Sequence, residues 1–407
     1  MRIAVLAFIP FPKGMASTNR IIAYCCGLHE GGHEVCFYCL MQFDSTNSTA
    51  YGNTERDGCF NGVDFKYLSG KTWGDSNKFI RRLFYPYTGL RLCWRLIKEF
   101  QVRKPNVVIF SGTLLSLGME YLYFLRVLAL FFRFKLVLET NEFPHFFMFD
   151  QKRFFALKMF GLRCMLRTLD AVLPITKTLS LFLQPLCSKG TLFYLFPMLV
   201  SPDRYLNAKQ VCSGADYIAY CGSMDGNKDG VVDLISAFAL ISGEFPALKL
   251  LLMGSACDQR MALLRDKAQQ LGVSDRVIFT GVVSREEMPQ RLVNARLLAL
   301  ARPTSIQAQG GFPTKLGEYL LSGNPVVVTR VGDIPDYLKD SKNAFLANPD
   351  DPEDFARKMR YVLTHSAEAA RVGAQGRELA LTVFNGNVQS KNLVTFFEQI
   401  LNCGAHV

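Results

Sequence analysis

Ala308-Gln309-Gly310-Gly311-Phe312-Pro313-Thr314-Lys315-Leu316-Gly317-Glu318-Tyr319-Leu320, closed by Gly323-Asn324-Pro325, is the stretch on which the fold turns. An apolar run over residues 296–301 precedes it, and a second, Val326-Val327-Val328, follows it. Strand, glycine-rich loop, helix and strand in that order make one βαβ unit. Such a loop opening a helix is an anion site, because backbone N–H groups and the positive end of the helix dipole point at one spot. Pro313 suits the first helical position, where its missing N–H costs nothing. Thr314 and Lys315 add a hydroxyl and a cation. Glu318, one turn further on the face of Thr314, adds a carboxylate acceptor.

The same alternation fills the chain in both directions. Strands are expected at residues 2–8, 34–40, 63–68, 107–112, 135–140, 171–176 and 191–196, then at 217–222, 249–254, 277–281, 296–301, 325–331 and 344–347. Long helical patterns lie between most of them, which predicts parallel sheets. Leu250-Leu251-Leu252-Met253 is apolar on both faces, as a parallel strand covered by helices must be. Ser201-Pro202-Asp203 and Val211-Cys212-Ser213-Gly214 are turn-rich and mark a break. The reading is α/β, with two doubly wound parallel-sheet domains over residues 1–200 and 215–385. A closing helix within 386–407 is free to cross back to the first domain.

Composition narrows the function classes. A chain of 407 residues that is 49% apolar excludes disordered and fibrous proteins. Met1-Arg2-Ile3-Ala4-Val5-Leu6 enters an apolar run without the marks of a secretion signal. The greasiest stretch, residues 114–138, is interrupted by Glu120, Arg126, Arg133 and Lys135, against a membrane span. Twelve cysteines without a signal suggest a reducing cytoplasm. Cys36 and Cys39 fall inside an apolar strand and read as core residues rather than a redox or metal pair. His29, His33, His145, His365 and His406 lack ligand spacing. Residues 1–210 carry 26 Lys+Arg against 14 Asp+Glu, and residues 211–407 carry 20 against 21. The positive excess therefore lies wholly in the first half and points to an acidic partner. Residues 78–85, followed by Arg91, Arg95 and Lys98, interleave cations with large apolar groups. So do residues 151–168, where Lys152, Arg153, Lys158, Arg163 and Arg167 lie among Phe154, Phe155, Met159 and Phe160. Both read either as helices that lie on an anionic membrane surface, as in a peripheral protein, or as core-packing helices whose basic faces are solvated.

Two further loops leave first strands. Tyr220-Cys221-Gly222-Ser223-Met224-Asp225-Gly226-Asn227-Lys228-Asp229-Gly230 lies where open α/β sheets bind ligands, beyond a strand's carboxyl end. Lys228 there reads as a phosphate contact or as a solvated lysine. Ile9-Pro10-Phe11-Pro12-Lys13-Gly14-Met15-Ala16-Ser17-Thr18-Asn19-Arg20 joins the opening strand to its helix. Gly14 permits close backbone approach, and Ser17 or Thr18 can cap the helix. Arg20 reads as a ligand contact or a surface residue. Glu142 and His145 follow the fifth strand, either facing a cleft or structural.

Together these segments resemble the retaining glycosyltransferases of family 4, which have the GT-B fold of two Rossmann-like domains and a cleft between them. The resemblance rests on Gly222-Ser223, Lys228-Asp229-Gly230, Phe279-Thr280-Gly281, the 310–318 string and Gly323-Asn324-Pro325-Val326-Val327. In the first half it rests on the opening strand with Gly14, Gly32-His33-Glu34-Val35, Asp170-Ala171-Val172-Leu173-Pro174-Ile175-Thr176, and Phe196-Pro197-Met198 before Asp203. It implies a metal-independent hexosyltransferase of polysaccharide or lipid-linked glycan assembly, with a UDP- or GDP-sugar donor and no cofactor. Lys228 and Lys315 would take the leaving diphosphate, and Glu318 the ribose. Gly222, Ser223 and Thr314 would line the diphosphate. Val282 and Val283 would hold the base, and Gln309, Gly310, Gly311 and Phe312 the sugar. Gly14, Asn19, Arg20, Glu142 and His145 would lie on the acceptor side. Two positions depart from the family pattern: Gly310 stands where a glutamate is usual, and Ser223 where an arginine is common.

A sugar-nucleotide 2-epimerase of the same fold, or a non-catalytic nucleotide-sugar-binding subunit, would share most of these features. An epimerase would be expected to place several carboxylates and a histidine around the sugar, where the loops offer Glu142 and His145 but little else. No Asp-x-Asp triplet of a metal-dependent transferase occurs, and Asp350-Asp351-Pro352-Glu353-Asp354 reads as an acidic helix start. No nucleic-acid recognition motif is present.

Overall fold

The structure, a computed structural model, describes residues 1–14, 16–40, 43–44, 53–70, 73–74, 85–112, 116–145, 147, 154–209 and 216–402. The chain divides into two compact units, Met1–Leu199 with Gly386–Val407, and Val200–Asn385.

The first unit is built on an eight-stranded sheet. Its strands are β1 (Arg2–Ala7), β2 (Glu34–Cys39), β3 (Asp57–Phe60), β4 (Val63–Tyr67), β5 (Val107–Ser111), β6 (Lys135–Thr140), β7 (Ala171–Pro174) and β8 (Leu192–Phe193). Their spatial order is β8-β7-β6-β5-β1-β2-β4-β3. β1 pairs in parallel with β2 (Ile3 opposite Val35) and with β5 (Ile3 opposite Val107). Every residue of β5 is buried, which is why the strand reads as a continuous apolar run. The β3–β4 hairpin is antiparallel and turns at Asn61-Gly62, both with positive φ (48° and 79°). Asn-Gly at a two-residue hairpin turn is the pairing that this backbone favours.

The helix Gly386–Asn402 packs in this unit against the helix Ala16–Glu30. A side chain at Gly386 would overlap Ala23, and one at Gly27 would overlap Ser390, so two glycines set a close approach. The Ser390 hydroxyl donates to the Tyr24 carbonyl at 3.1 Å. Leu393, Phe396, Phe397 and Ile400 join Ile21, Tyr24, Leu28, Phe37 and Phe196 in one apolar core.

The second unit has six parallel strands, β9 (Tyr217–Cys221), β10 (Lys249–Met253), β11 (Val277–Gly281), β12 (Leu297–Leu300), β13 (Val326–Thr329) and β14 (Phe345–Ala347). The order is β11-β10-β9-β12-β13-β14. Chain direction across the sheet reverses between β9 and β12, and a topological switch of this kind opens a ligand crevice at the strands' carboxyl ends. Asp351 caps the helix Pro352–Thr364, its side chain accepting from the Asp354 amide at 2.9 Å.

Candidate functional site

At the carboxyl edge of the second sheet, β9, β10 and β11 each end at a glycine: Gly222 (φ 144°), Gly254 (φ 145°) and Gly281 (φ 74°). The Gly222 amide donates to the Met253 carbonyl and the Gly254 amide to the Gly281 carbonyl, both at 2.8 Å. A side chain at Gly254 would run into the Gly222 carbonyl, and one at Gly222 into the Lys315 ammonium. The edge is therefore bare backbone, with a cation laid across it.

Lys315 sits in the first turn of the helix Thr314–Leu321. Its ammonium pairs with the Asp229 carboxylate, donates to the Tyr220 hydroxyl at 2.9 Å and lies 4.4 Å from that ring's centroid. The Tyr220 hydroxyl is 2.9 Å from both the Asp229 carboxylate and the Ser223 carbonyl. Burial alone would raise the Asp229 carboxyl. The Lys315 and Arg302 charges, with hydrogen bonds from Lys315 and Tyr220, outweigh it and hold the group below its usual range. Burial first, then Asp229, pushes the Tyr220 phenol well up, so it stays protonated. The Cys221 amide donates to the Tyr319 hydroxyl at 2.7 Å, tying the same helix to β9 a second time. Gly230 (φ 64°) closes the loop after Asp229, and a side chain there would overlap the Ala301 carbonyl beyond β12.

Glu318 lies one turn along the helix. Its Oε1 pairs with the Arg204 guanidinium, and Arg204 Nη2 donates to the Arg285 carbonyl at 2.9 Å, in the loop that follows β11. Val282 in that loop is 78% exposed, and Val283 is half-buried. Gly222, Lys315, Glu318 and the 282–285 loop thus share one edge of one sheet. Lys228 is half-buried on the 222–230 loop, Ser223 is exposed, and Thr314 is half-buried. Gln309 is exposed and Gly310 and Gly311 are buried, around the end of the short helix Ile306–Gly310. The Phe312 ring is not offered to a ligand. It packs edge-on against Tyr337 (5.5 Å) and beside Phe384 (5.8 Å), so only its backbone remains for the sugar contact expected of it.

Sequence reasoning missed Asp229 and Tyr220 as the partners that hold Lys315, and Arg204 as the partner of Glu318. Asp229 carried a signal in the Lys-Asp-Gly string at the loop's end. Arg204 fell in the turn read as the domain break and carried none.

In the first unit, the expectation for Arg20 is corrected. It is neither a ligand contact nor a surface residue, being 1% exposed. Its Nε pairs with Glu139 Oε1 at 2.6 Å, its other nitrogens donate to the Phe196 carbonyl (2.9 Å) and the Pro197 carbonyl, and it lies over the Phe196 ring. The Tyr24 hydroxyl donates to the second Glu139 oxygen at 3.0 Å. A buried charge needs such saturation, and Arg20 spends its donors on it. Gly14 packs against Thr18, whose hydroxyl donates to the Pro10 carbonyl at 2.8 Å. Asn19 and Glu142 are half-buried and His145 is exposed. A cavity of about 10 Å³ near Arg2, Glu34, Tyr38, Phe100 and Arg103 is at the amino end of β1, the wrong end of a parallel sheet for a ligand. Among the described residues, no group of three His, Cys, Asp or Glu is placed to hold a metal ion.

Residues 215–365 match the family model for glycosyl transferases group 1. The chain is 28% identical over 133 residues to an MMP alpha-(1->4)-mannosyltransferase of Mycolicibacterium hassiacum, a match covering 32% of this chain and 31% of that protein. It is 26% identical over 171 residues to a mannosylfructose-phosphate synthase of Agrobacterium fabrum, covering 40% and 37%. The chain thus spans about a third of the length of these curated relatives. The solved sucrose-phosphate synthase of Thermosynechococcus elongatus superposes with a TM-score of 0.77 at 15% identity, over 99% of this chain and all of that one. Anabaena HepE, solved with UDP, superposes with a TM-score of 0.69 at 14% identity, over 98% and 100%. These likenesses show the fold, two Rossmann-like parallel-sheet units in the GT-B architecture.

Proposed function

We propose that the protein is a glycosyltransferase that moves a sugar from a nucleoside-diphosphate donor to a glycan or lipid-linked acceptor, with retention and without a metal. One observation carries the reading. Lys315 is held by Asp229 over the bare backbone of Gly222, one helical turn from Glu318, at the switch point of the unit that matches the family model. A diphosphate on that edge meets an ammonium, a helix N-terminus and no side chain at Gly222. Glu318 is set to accept from ribose hydroxyls, and the 282–285 loop to cover the base.

In the reaction, the bond from the anomeric carbon to the diphosphate oxygen breaks, and the acceptor oxygen bonds that carbon from the same face while its proton passes to the leaving diphosphate. Charge grows on the leaving diphosphate. Lys315 and the helix N-terminus would offset it, with Lys228 a second cation. Each fixed donor of this kind is worth roughly 3–4 kcal/mol. HepE, solved in complex with UDP and with UDP-glucose, supports a nucleoside-diphosphate ligand here.

A peripheral place on the inner membrane surface belongs to the same reading. No described helix is long and apolar enough to cross a membrane. In the first unit, Val127, Leu130, Phe131, Leu157 and Phe160 are all at least half exposed on the helices Ser116–Phe132 and Phe155–Leu166. Arg133, Arg163 and Arg167 are exposed with them. The basic residues expected at 78–84 and 151–153 lie outside the described residues.

A thermal-shift panel of UDP-, GDP- and ADP-sugars tests the donor assignment, because binding to the folded state alone raises its melting temperature. Product analysis with the stabilising sugar nucleotide then separates the chemistries. A glycoside that appears only with acceptor supports transfer. An epimerised free sugar nucleotide would overturn it.

A further inference from the structure

Two walls of the proposed nucleoside site come from distant parts of the sequence. One is Glu318, on the helix Thr314–Leu321, and the other is the backbone after β11. A single guanidinium touches both. Arg204 pairs with Glu318 Oε1 through Nη1 and donates from Nη2 to the Arg285 carbonyl at 2.9 Å. It projects from the one-turn 3₁₀ helix Pro202–Tyr205, whose Tyr205 is 4% exposed and anchors the turn in the second unit's core. Its side chain is 15% exposed and that of Glu318 19%, so neither contact is a solvated surface pair.

We infer that Arg204 is a positioning residue of the nucleoside site, which sets the Glu318 carboxylate and the 282–285 backbone at a fixed separation for one ribose and one base. The inference rests on the donor reading above. Its physical basis is the guanidinium fork. Two nitrogens in one plane hold two acceptors in a fixed relation, which an ammonium on a flexible stem cannot do. The contact uses Oε1 of Glu318 and leaves Oε2 to accept from a ligand hydroxyl. Without Arg204 the carboxylate regains its rotamers and the loop loses its anchor, and both must then be ordered by the ligand itself. Diphosphate recognition is separate, because Lys315 is held by Asp229 and Tyr220, with no part for Arg204.

The test compares Kd values of UDP, GDP and inorganic pyrophosphate for the unaltered 407-residue chain, Arg204→Ala and Arg204→Lys, by calorimetry. Donor KM and kcat are measured alongside. The better-binding nucleoside diphosphate is expected to weaken by about 10- to 100-fold in Arg204→Ala, the worth of a lost charged hydrogen bond. Pyrophosphate stays within about twofold, KM rises and kcat changes little. Arg204→Lys, which keeps the charge without the fork, falls between and keeps the measurement open should the alanine variant unfold. An unchanged nucleoside diphosphate Kd overturns the inference. So does tighter binding, which would make Arg204 a competitor for Glu318, and so does an equal loss for pyrophosphate, which would mean general damage. If the unaltered protein binds neither UDP nor GDP, the donor reading fails first and this inference with it.

Discussion

Asp229→Asn keeps the shape of the side chain that holds Lys315 and removes its charge. Asp229 is 9% exposed, the Lys315 side chain 15%. Removing one partner of a fully buried pair costs about 3–5 kcal/mol, because the other charge stays behind uncompensated. Water reaches Lys315 in part, so about 2–4 kcal/mol is expected here. For a unit of about two hundred residues this lowers the melting temperature by roughly 5–15 °C. The pH dependence has a definite sign. The Asp229 carboxyl is depressed in the folded state, so its contribution is complete above the unfolded pKa of about 3.9 and fades as pH falls through the lower folded value. The unaltered protein should lose part of its second-unit stability in that acid window, and Asp229→Asn should lack that part of the slope. Both tryptophans, Trp73 and Trp94, are in the first unit. The assay is therefore scanning calorimetry with hydrogen exchange read on second-unit peptides. A double variant, Asp229→Asn with Lys315→Met, should regain part of the loss, since no charge is then stranded. A melting temperature within about 2 °C of the parent for Asp229→Asn, with the same acid slope, would refute the reasoning.

Other outcomes are expected from the site, the first unit's surface and its buried ion pair. Glu318→Ala should weaken donor binding by about 2–3 kcal/mol, and Lys228→Ala should lower turnover about 100-fold, both read in steady-state kinetics; full activity in both variants would remove the site assignment. Turnover should survive EDTA, and complete loss restored by manganese or magnesium would point to another mechanism. The protein should co-sediment with anionic vesicles in a salt-sensitive way, less so after Leu130→Glu and Phe160→Glu, and equal binding to neutral vesicles would sink the membrane assignment. Arg20→Met should destabilise the first unit by about 3–5 kcal/mol by stranding the Glu139 charge, and a melt unchanged from the parent would contradict the buried pairing.

Period and punctuation made the framework legible. Runs apolar on both faces marked β5, β9, β10, β12 and β13 to within a residue or two at each end, because a covered parallel strand has no alternative use for such composition. Asp351 was readable as a helix start from its own chemistry. The stretch at 191–196 was read too long. Regular strand is confined to Leu192–Phe193; beyond it the Tyr194 and Phe196 amides still donate to the Val172 and Pro174 carbonyls of β7, and Phe196 and Pro197 give their carbonyls to Arg20. The β3–β4 hairpin was missed although Asn61-Gly62 announced it, since β3 alternates too weakly to stand out. In the site, Lys315 and Glu318 were visible as types in a helix-opening string. Their partners were not, because Arg204 is 114 residues from Glu318 and Asp229 is 86 from Lys315. Burial also inverts a reading, as at Arg20. A lone arginine near a loop is taken for surface or ligand until its carboxylate, 119 residues away, is known.

The helix Gly386–Asn402 belongs to the first unit, although the whole of the second unit separates them in the chain. During synthesis the ribosome therefore delivers β1 to β8 long before the residues that cover Ile21, Tyr24 and Leu28. The second unit, continuous from Val200 to Asn385, can reach its final packing first, out of N-to-C order. Until Leu393, Phe396, Phe397 and Ile400 emerge, the earlier unit holds an open apolar face on the helix Ala16–Glu30. That waiting interval is its period of greatest exposure to chaperones, proteases and self-association. A premature stop just before Gly386 would accordingly damage the part of the protein that was made first.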